Sequence, residues 1–378
     1  MNQNAIEQAV RHYRELLLSQ VERAEKMNRA VPQEKKEKTV IGVVGGDGIG
    51  PIITYQAQRA LEVLLREEIA AGSIEIRTVN GLTLENRLAV GKAVPDDVLA
   101  EIKACDVLLK GPTTTPSGGN SVESANVALR KELDLFANVR PVCVPEEGID
   151  WMFFRENTEG EYTLGSQGIE LPGLLTMDFK VTTIPGTRRI ARAAFEFARK
   201  NGKTHLAIVT KSNIMKKTDG MFTQICHEVA ADYPEVQVDE YFIDIMSANL
   251  LKPSMRSQLQ VFVLPNLYGD IITDEAAQIQ GGVGTAGSAN TGDRYAMFEA
   301  IHGSAPRMIA RGMGDYANPE SILRAAVMML RHIGRADQAE RLDAAITQAM
   351  ADRPITGTRE GASCAEFGDA LVKILNAK

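Results

Sequence analysis

Apolar residues at Ile6, Val10, Tyr13, Leu17, Val21 and Ala24 fall at three- and four-residue spacing, which predicts one amphipathic helix across residues 2–30. The "PQEKKEK" that follows has no apolar side chain to bury and reads as a solvated linker. Next comes "TVIGVVGGDGIGP": a β-branched run, then glycines, then periodic apolar positions from about Ile52 to Ile69, hence a strand, a tight loop and a helix. The alternation repeats with strand-like "SIEIRTV", a helix opened by Pro95 and Asp96, strand-like "DVLLKG" and a helix around "SANVALRKEL". This βαβα rhythm is that of an α/β protein.

In the middle of the chain the strand candidates are "IDWMFFREN", "KVTTIPG", "LAIVTK" and "VFVLP", interrupted by the glycine-rich "GSQGIELPGLL". That pattern reads as a second domain with a protruding arm. From Gly281 the chain is again glycine-rich, then helical from Pro319 to about Gly334, with a last helix at "AEFGDALVKIL". No internal repeat or low-complexity tract interrupts it.

Composition narrows the function classes. A chain of 378 residues, 44% hydrophobic and 24% charged, can bury a large core, and its length suggests two domains. A formal net charge of -7 with no basic stripe disfavours nucleic acid or a membrane surface as partner, and an anionic substrate then requires a local cationic pocket. Cys105, Cys143, Cys226 and Cys364 form no C-x-x-C pair, which points to free thiols in a reducing compartment rather than a zinc cage or disulfide framework. No apolar run approaches the roughly 18 residues of a membrane span. The first thirty residues lack a signal-peptide block, and Glu7, Glu15, Glu22 and Glu25 argue against a transit peptide, so the cytoplasm is the expected compartment.

Several segments carry candidate chemistry. The glycines at 45, 46, 48 and 50 suggest a dinucleotide loop, but G-x-G-x-x-G from Gly46 needs glycine where Pro51 stands. A close-packed turn and a loop lining a ligand cleft both remain open for them. "SVESANVALRKELDLFANVRP" supplies Ser124, Asn126, Arg130 and Arg140, and "FRENTEGEY" adds Arg155 and Tyr162. Convergent arginines suit a polycarboxylate because each guanidinium can grip a carboxylate through two hydrogen bonds; singly, each also reads as a surface ion pair. "LPNLYGDIITDEAAQ" sets Asp270 and Asp274 four residues apart, aimed the same way on a helix, with Asp244 as a possible third carboxylate. Hard oxygens suit Mg²⁺ or Mn²⁺, while acids at a helix N-terminus are the other reading. Lys211, ending an apolar strand, is either a solvated lysine or an ammonium tuned for proton transfer. In "FEAIHGSAPRM", the small residues Gly303, Ser304 and Ala305 beside Glu299 and His302 let backbone amides approach adenosine or phosphate, with Asn318 further on; a structural histidine is the alternative.

Together, "GGDGIGP", "S-x-N-x-x-x-R", "FRENTEGEY", "NLYGDIITD" and "FEAIHGSAP" resemble, in order and approximate spacing, the decarboxylating dehydrogenases that act on isocitrate, isopropylmalate, homoisocitrate and tartrate. The resemblance covers about residues 39–376 and leaves out the N-terminal helix, for which packing on a dimer or recruiting another protein are the two expectations. It implies an α/β, isocitrate/isopropylmalate dehydrogenase-like two-domain fold in place of a Rossmann fold. The expected division is a helical extension at 1–38, a large domain of 39–135 plus 281–378, and a small domain of 136–280 with a dimerisation arm at about 160–182. It further implies that Arg130, Arg140 and Arg155 hold substrate carboxylates. Ser124 and Asn126 would meet the group that distinguishes substrates, and Asp244, Asp270 and Asp274 would bind the metal. Lys211 and Tyr162 would move protons, and Thr115, Glu299, His302, Gly303, Ser304, Ala305, Arg307 and Asn318 would face a nicotinamide dinucleotide. The active species would be a homodimer, or a higher oligomer, with Lys211 and one aspartate supplied to the partner's site.

The polar Asn126 favours a third carboxylate over an isopropyl group, because an amide facing an alkyl group would be left unsatisfied, so isocitrate is the favoured substrate. The chain departs from the family pattern in the length between Asp244 and Asp270, in a short arm after Tyr162, and at Arg307, which could pair with a 2′-phosphate and so favours NADP. The wording of the other motifs is closer to the NAD branch, so NAD is preferred with NADP as the alternative. The competing readings are an isopropylmalate, homoisocitrate or tartrate dehydrogenase, or a noncatalytic regulatory subunit. Such a subunit would be expected to have lost Lys211, Tyr162 or the metal aspartates, all of which are present.

Overall fold

The computed structural model describes residues 3–27, 38–116, 122–282 and 284–377. The chain parts into two compact units, Gln33–Leu135 with Ala277–Lys378, and Phe136–Ala276 with Met1–Pro32. The predicted linker falls, up to residue 37, outside the described residues. Among the described residues no helix is long and apolar enough to cross a membrane.

In the unit formed by both ends of the chain, the strands are β1 (Thr39–Val44), β2 (Ile74–Val79), β3 (Val107–Lys110), and, from the late segment, β11 (Gly287–Thr291) and β12 (Ala296–Ala300), in the order β2-β1-β3-β12-β11. Pairings are parallel except β11 with β12. Val44, Val79, Ile102, Leu108, Leu129 and Met297 share one core. As predicted, helix Gly50–Leu64 follows the glycine loop and helix Ala125–Glu132 occupies the "SANVALRKEL" segment.

The middle unit holds β4 (Ala137–Val144), β5 (Ile149–Glu156), β8 (His205–Thr210), β9 (Gln237–Phe242) and β10 (Val261–Leu264), ordered β4-β5-β10-β8-β9. β4 runs antiparallel to β5, and the other pairings are parallel. Phe154, Phe195, Leu206, Ile208, Phe222, Val261 and Val263 fill its core. The arm contains the short antiparallel hairpin β6 (Ile169–Leu171) and β7 (Leu175–Met177), with Leu174, Leu175 and Met177 exposed.

One expectation needs correcting, and three features go beyond the sequence reading. "KVTTIPG" is not a strand: Thr183 accepts a hydrogen bond from the Gly186 amide and caps helix Ile184–Lys200, with Pro185 in the first turn, where its missing N–H does no harm. The glycine-rich "GSANT" is strand β11, because Gly287 lets the backbone pass where a Cβ would meet the Ala325 nitrogen at 2.4 Å. Helix Ala336–Asp352, missed because its buried face is mostly alanine, packs through Ala339, Leu342, Ala345, Ile346 and Ala349. The N-terminal helix forms as expected, over Gln3–Met27, and much of its apolar stripe stays open, with Val10, Tyr13, Leu17 and Val21 exposed. It docks through a face one residue round, where His12, Leu16 and Arg23 are shielded.

Candidate active site

Chemistry-bearing residues collect at the carboxyl ends of parallel strands, where side chains leave the sheet and backbone groups turn outward. In the middle unit, Arg155 is the penultimate residue of β5, Lys211 follows β8, Asp244 lies just beyond β9, and Asn266 and Asp270 open the helix after β10. In the other unit, the glycine loop follows β1, Thr113–Thr115 follow β3, and Glu299 and His302 mark the end of β12.

Within the middle unit, Arg155 is 1% exposed and its Nε and Nη2 donate to Asn266 Oδ1 at 2.9 and 2.7 Å. Its Nη1 pairs with Asp270 Oδ1, and the Tyr162 hydroxyl donates to Asp270 Oδ2 at 2.7 Å. Helix Asn266–Ile279 brings Asp274 one turn further, where Arg140 Nη1 donates to it at 2.7 Å and to Thr273 Oγ1 at 2.7 Å. Thus Arg140, Arg155, Tyr162, Asp270 and Asp274 form one connected network. Gly269 lets Arg155 lie against this helix: a Cβ there would meet the arginine's Cγ at 2.5 Å.

Lys211 and Asp244 pair with each other instead, at 2.6 Å, and Lys211 holds the exposed Asp244 carboxyl below its ordinary range. Asp219, fully buried, fixes the start of this turn by accepting from the Lys211 amide at 2.8 Å, while Lys180 neutralises it at 2.6 Å. Among the described residues, no three His, Cys, Asp or Glu side chains come together as a metal cage. Two carboxylates one helical turn apart, with substrate oxygens and water, nevertheless fit the hard, loosely caged coordination of Mg²⁺ or Mn²⁺.

The other unit presents a different arrangement. Asn126 uses its carbonyl end to accept from Thr113 Oγ1 at 3.1 Å, which orients the amide N–H group as donor. Ser124 stands at the N-cap of helix Ala125–Glu132 without a side-chain capping bond. Arg130 Nη2 donates to Glu299 Oε1 at 3.2 Å, and its Nε, like Arg140 Nε, is buried with no hydrogen-bond partner among the described residues. Buried donors left over in this way fit an anionic ligand. Glu299 also accepts from Asn290 at 2.8 Å and faces Lys110 at 3.4 Å. Burial alone would push its carboxyl up, but Lys110, Arg130 and Asn290 together outweigh it and hold the group down, to about 2.

The glycine loop is a close-packed turn. A Cβ on Gly46 would meet Pro112 O at 2.2 Å and one on Gly48 would meet Ser304 O at 2.0 Å, both glycines having positive φ. Asp47 in the same loop accepts from the Leu84 and Thr114 amides at 2.7 and 2.8 Å, and Thr114 Oγ1 lies 2.6 Å from Ser304 Oγ. Arg87, fully buried, donates to the carbonyls of Ala93, Thr114 and Glu123 and so pins the segment leading to Ser124. Beside this loop, burial pushes the pKa of His302 down; Nδ1 lies 3.0 Å from Gly303 O while Nε2 is buried with no hydrogen-bond partner among the described residues. Ala305 takes a left-handed conformation at φ 48° to start helix Pro306–Ala310, leaving Gly303 and Arg307 exposed. An orphaned imidazole nitrogen beside an open glycine fits a nucleotide base or ribose. Thr115 is exposed, and Asn318, just before the N-cap Pro319 of helix Glu320–His332, accepts from the Glu320 amide at 2.9 Å.

Asn266, Thr273, Asp219, Lys110 and Arg87 had no role assigned from the sequence; Asn266 and Thr273 stood inside the "NLYGDIITD" motif, and Lys110 ended an otherwise apolar strand candidate.

A family model described as isocitrate/isopropylmalate dehydrogenase matches residues 40–371. The chain is 39% identical over 339 residues to the probable isocitrate dehydrogenase (NAD) subunit alpha, mitochondrial, of Caenorhabditis elegans, covering 86% of this chain and 89% of that one. It is likewise 39% identical over 324 residues to the isocitrate dehydrogenase (NADP) of Rickettsia prowazekii, covering 83% of this chain and 64% of that one. The crystal structure of isocitrate dehydrogenase from Methylococcus capsulatus superposes with a TM-score of 0.78 at 33% identity, covering 89% of this chain and 99% of that one. The chain belongs to the isocitrate/isopropylmalate dehydrogenase family.

Proposed function

We propose that the protein oxidatively decarboxylates isocitrate to 2-oxoglutarate and carbon dioxide while reducing NAD or NADP. The observation that carries this is the joining of two buried arginines, Arg140 and Arg155, with Tyr162 and the outward-facing Asp270 and Asp274 in one network. Cationic side chains for carboxylates, a hydroxyl for proton transfer and hard oxygens for a divalent ion are what this reaction requires. Asp270 and Asp274 would hold Mg²⁺ or Mn²⁺. When bound, the metal supplies Lewis-acid stabilisation of charge on the substrate's 2-oxygen and the dinucleotide accepts hydride from C2.

The chain's own groups do the rest. Arg140 and Arg155 orient carboxylates, Arg130 supplies a third guanidinium, and the donor end of Asn126 with the Ser124 hydroxyl suits a carboxylate better than an alkyl group. Lys211 takes the proton of the 2-hydroxyl, and Tyr162 returns a proton to C3 once carbon dioxide has left. The Lys211–Asp244 pair is not gathered with Asp270 and Asp274, which suits a homodimer in which each copy lends this pair to the other. His302, Gly303, Ser304 and Ala305 would face the dinucleotide. The exposed Arg307 could pair with a 2′-phosphate, and NAD against NADP is a matter for assay. Free cysteines among the described residues suit a cytoplasmic enzyme.

Initial rates with isocitrate, Mn²⁺ and each dinucleotide, repeated with isopropylmalate and after chelation, test this reading. Metal-dependent turnover of isocitrate is expected; none with either dinucleotide would overturn it.

A further inference from the structure

We infer that the N-terminal helix is a working part of the site: its Arg23 is the counter-ion of buried Glu159 and thereby keeps the Arg155–Tyr162 segment in place. The inference rests on the roles proposed above for Arg155 and Tyr162. The family match begins at residue 40, so helix Gln3–Met27 lies outside the matched residues.

The helix lies against strand β6 and helix Ile184–Lys200 of its own unit. Leu16 is buried there, His12 Nε2 is 3.1 Å from Gln167 O, and Tyr13 packs on Phe179 with ring centroids 5.5 Å apart. From the end of the helix Arg23 Nη2 reaches Glu159 Oε1 at 3.0 Å. The Glu159 side chain is 3% exposed, and its other donors are the Thr183 amide at 2.8 Å and the Thr183 hydroxyl at 2.5 Å. Three residues before it lies Glu156, whose carboxyl burial and the neighbouring Glu159 push up to about 7. Two buried acids this close need a cation, because an ionised carboxylate without one is strongly disfavoured away from water. Arg189 of helix Ile184–Lys200, which donates to Thr158 Oγ1 at 3.1 Å, acts on Glu156, while Arg23 pairs with Glu159 directly and comes from outside the matched residues.

Glu159 is also tied to the catalytic network through its backbone. Its carbonyl accepts from Asn266 Nδ2 at 2.9 Å, and Asn266 Oδ1 is the acceptor for two nitrogens of Arg155. Arg155 in turn pairs with Asp270, to which the Tyr162 hydroxyl donates. Without the Arg23 ion pair the Glu159 side chain turns toward water, which moves the carbonyl that anchors Asn266 and so displaces Arg155. Arg23 is therefore a positioning residue, acting through Glu159 and Asn266 without touching substrate.

The test uses the full chain with Arg23→Ala, Arg23→Lys and the double variant Arg23→Ala/Glu159→Gln. It measures kcat and KM for isocitrate and for the dinucleotide, together with amide hydrogen exchange of the peptide spanning 154–163. Arg23→Ala is expected to lower kcat/KM for isocitrate by about tenfold, a displacement effect, with KM for the dinucleotide unchanged and faster exchange in that peptide. Arg23→Lys should recover most of the loss. So should Glu159→Gln in the Arg23→Ala background, because a neutral amide can still accept from the Thr183 amide while donating to its hydroxyl. Unchanged rates and exchange in Arg23→Ala overturn the inference. So does a loss that falls equally on both substrates and that neither lysine nor glutamine recovers, which would make the helix a stabiliser only. If the unaltered protein turns over no isocitrate, the substrate reading falls while hydrogen exchange alone still decides whether Arg23 holds the segment.

Discussion

Asp270 and Glu299 are both carboxylates bound by arginine, yet they sit at opposite ends of a scale of burial. The Asp270 side chain is 38% exposed and Asp274, one turn on, is 58% exposed, whereas Glu299 is 6% exposed. A carboxylate that water can reach exchanges an arginine for a metal ion or a substrate hydrogen bond with little penalty. A buried one cannot, because leaving its partners means crossing a desolvation barrier of several kcal/mol. The first arrangement is a receptive centre and the second a fixed scaffold that holds Arg130. The same pair of functional groups thus does two jobs, and the difference is set by how much water each acid sees.

The largest effect should separate these jobs directly. Asp270→Asn is expected to lower kcat/KM by about a thousandfold or more by removing a metal oxygen. Tm should move much less, since Arg155 keeps Asn266 as partner. Titration with Mn²⁺ followed by calorimetry would check it, and unaltered metal affinity would remove Asp270 from the metal site. Glu299→Gln should behave in the opposite way, losing about 3–5 kcal/mol of stability because Lys110, fully buried, loses the carboxylate that faces it.

The pH dependence of that loss has a definite sign. Glu299 is held at about 2 against an ordinary 4.5, so its contribution is complete above about pH 4.5 and disappears as pH falls toward 2. Denaturant unfolding from pH 6 down to 2 should therefore show the variant and the parent converging in acid. A constant gap across that range would mean that Glu299 is not the fixed charge described here.

Tyr162→Phe is a smaller perturbation of the receptive centre. It removes one hydrogen bond to Asp270 and the hydroxyl proposed to donate a proton, and should lower kcat by about a hundredfold with KM nearly unchanged. A change confined to KM would make Tyr162 a binding residue.

The same contrast explains what the sequence could reveal. β1, β3, β5, β8 and β10 were legible because buried parallel strands are short apolar runs. β11 was not, since it stays a strand through pairing and through Gly287's close approach to Ala325, neither of which has a local signature. The receptive groups were readable because they lie in motifs with functional spacing. The roles of their supports were not, even for Asn266 inside a motif: Asn266 beneath Arg155, Asp219 beneath Lys211 and Arg87 behind Glu123 act through contacts between residues 8 to 111 positions apart. The N-terminal helix shows the same limit: periodicity identified the helix, but its docking contacts, among them Arg23 with a buried acid 136 residues away, have no local signature.

The smallest expected effect concerns an arginine with neither kind of carboxylate arrangement. Arg307 stands exposed on the short helix that Ala305 begins, so its charge is worth little until an anion arrives. Arg307→Asp should leave stability within about 0.5 kcal/mol. It should, however, change the ratio of kcat/KM for NADP to that for NAD by about tenfold in favour of NAD, because an aspartate repels a 2′-phosphate and accepts from a ribose hydroxyl. Parallel initial-rate assays with both dinucleotides measure this ratio. If it does not move, the residue lies outside the reach of the ribose, and the choice of dinucleotide has to be sought elsewhere around His302. If it moves further than tenfold, the exposed arginine is partly dehydrated when the dinucleotide binds, which would place it nearer to Glu299 on the scale of burial than the free chain suggests.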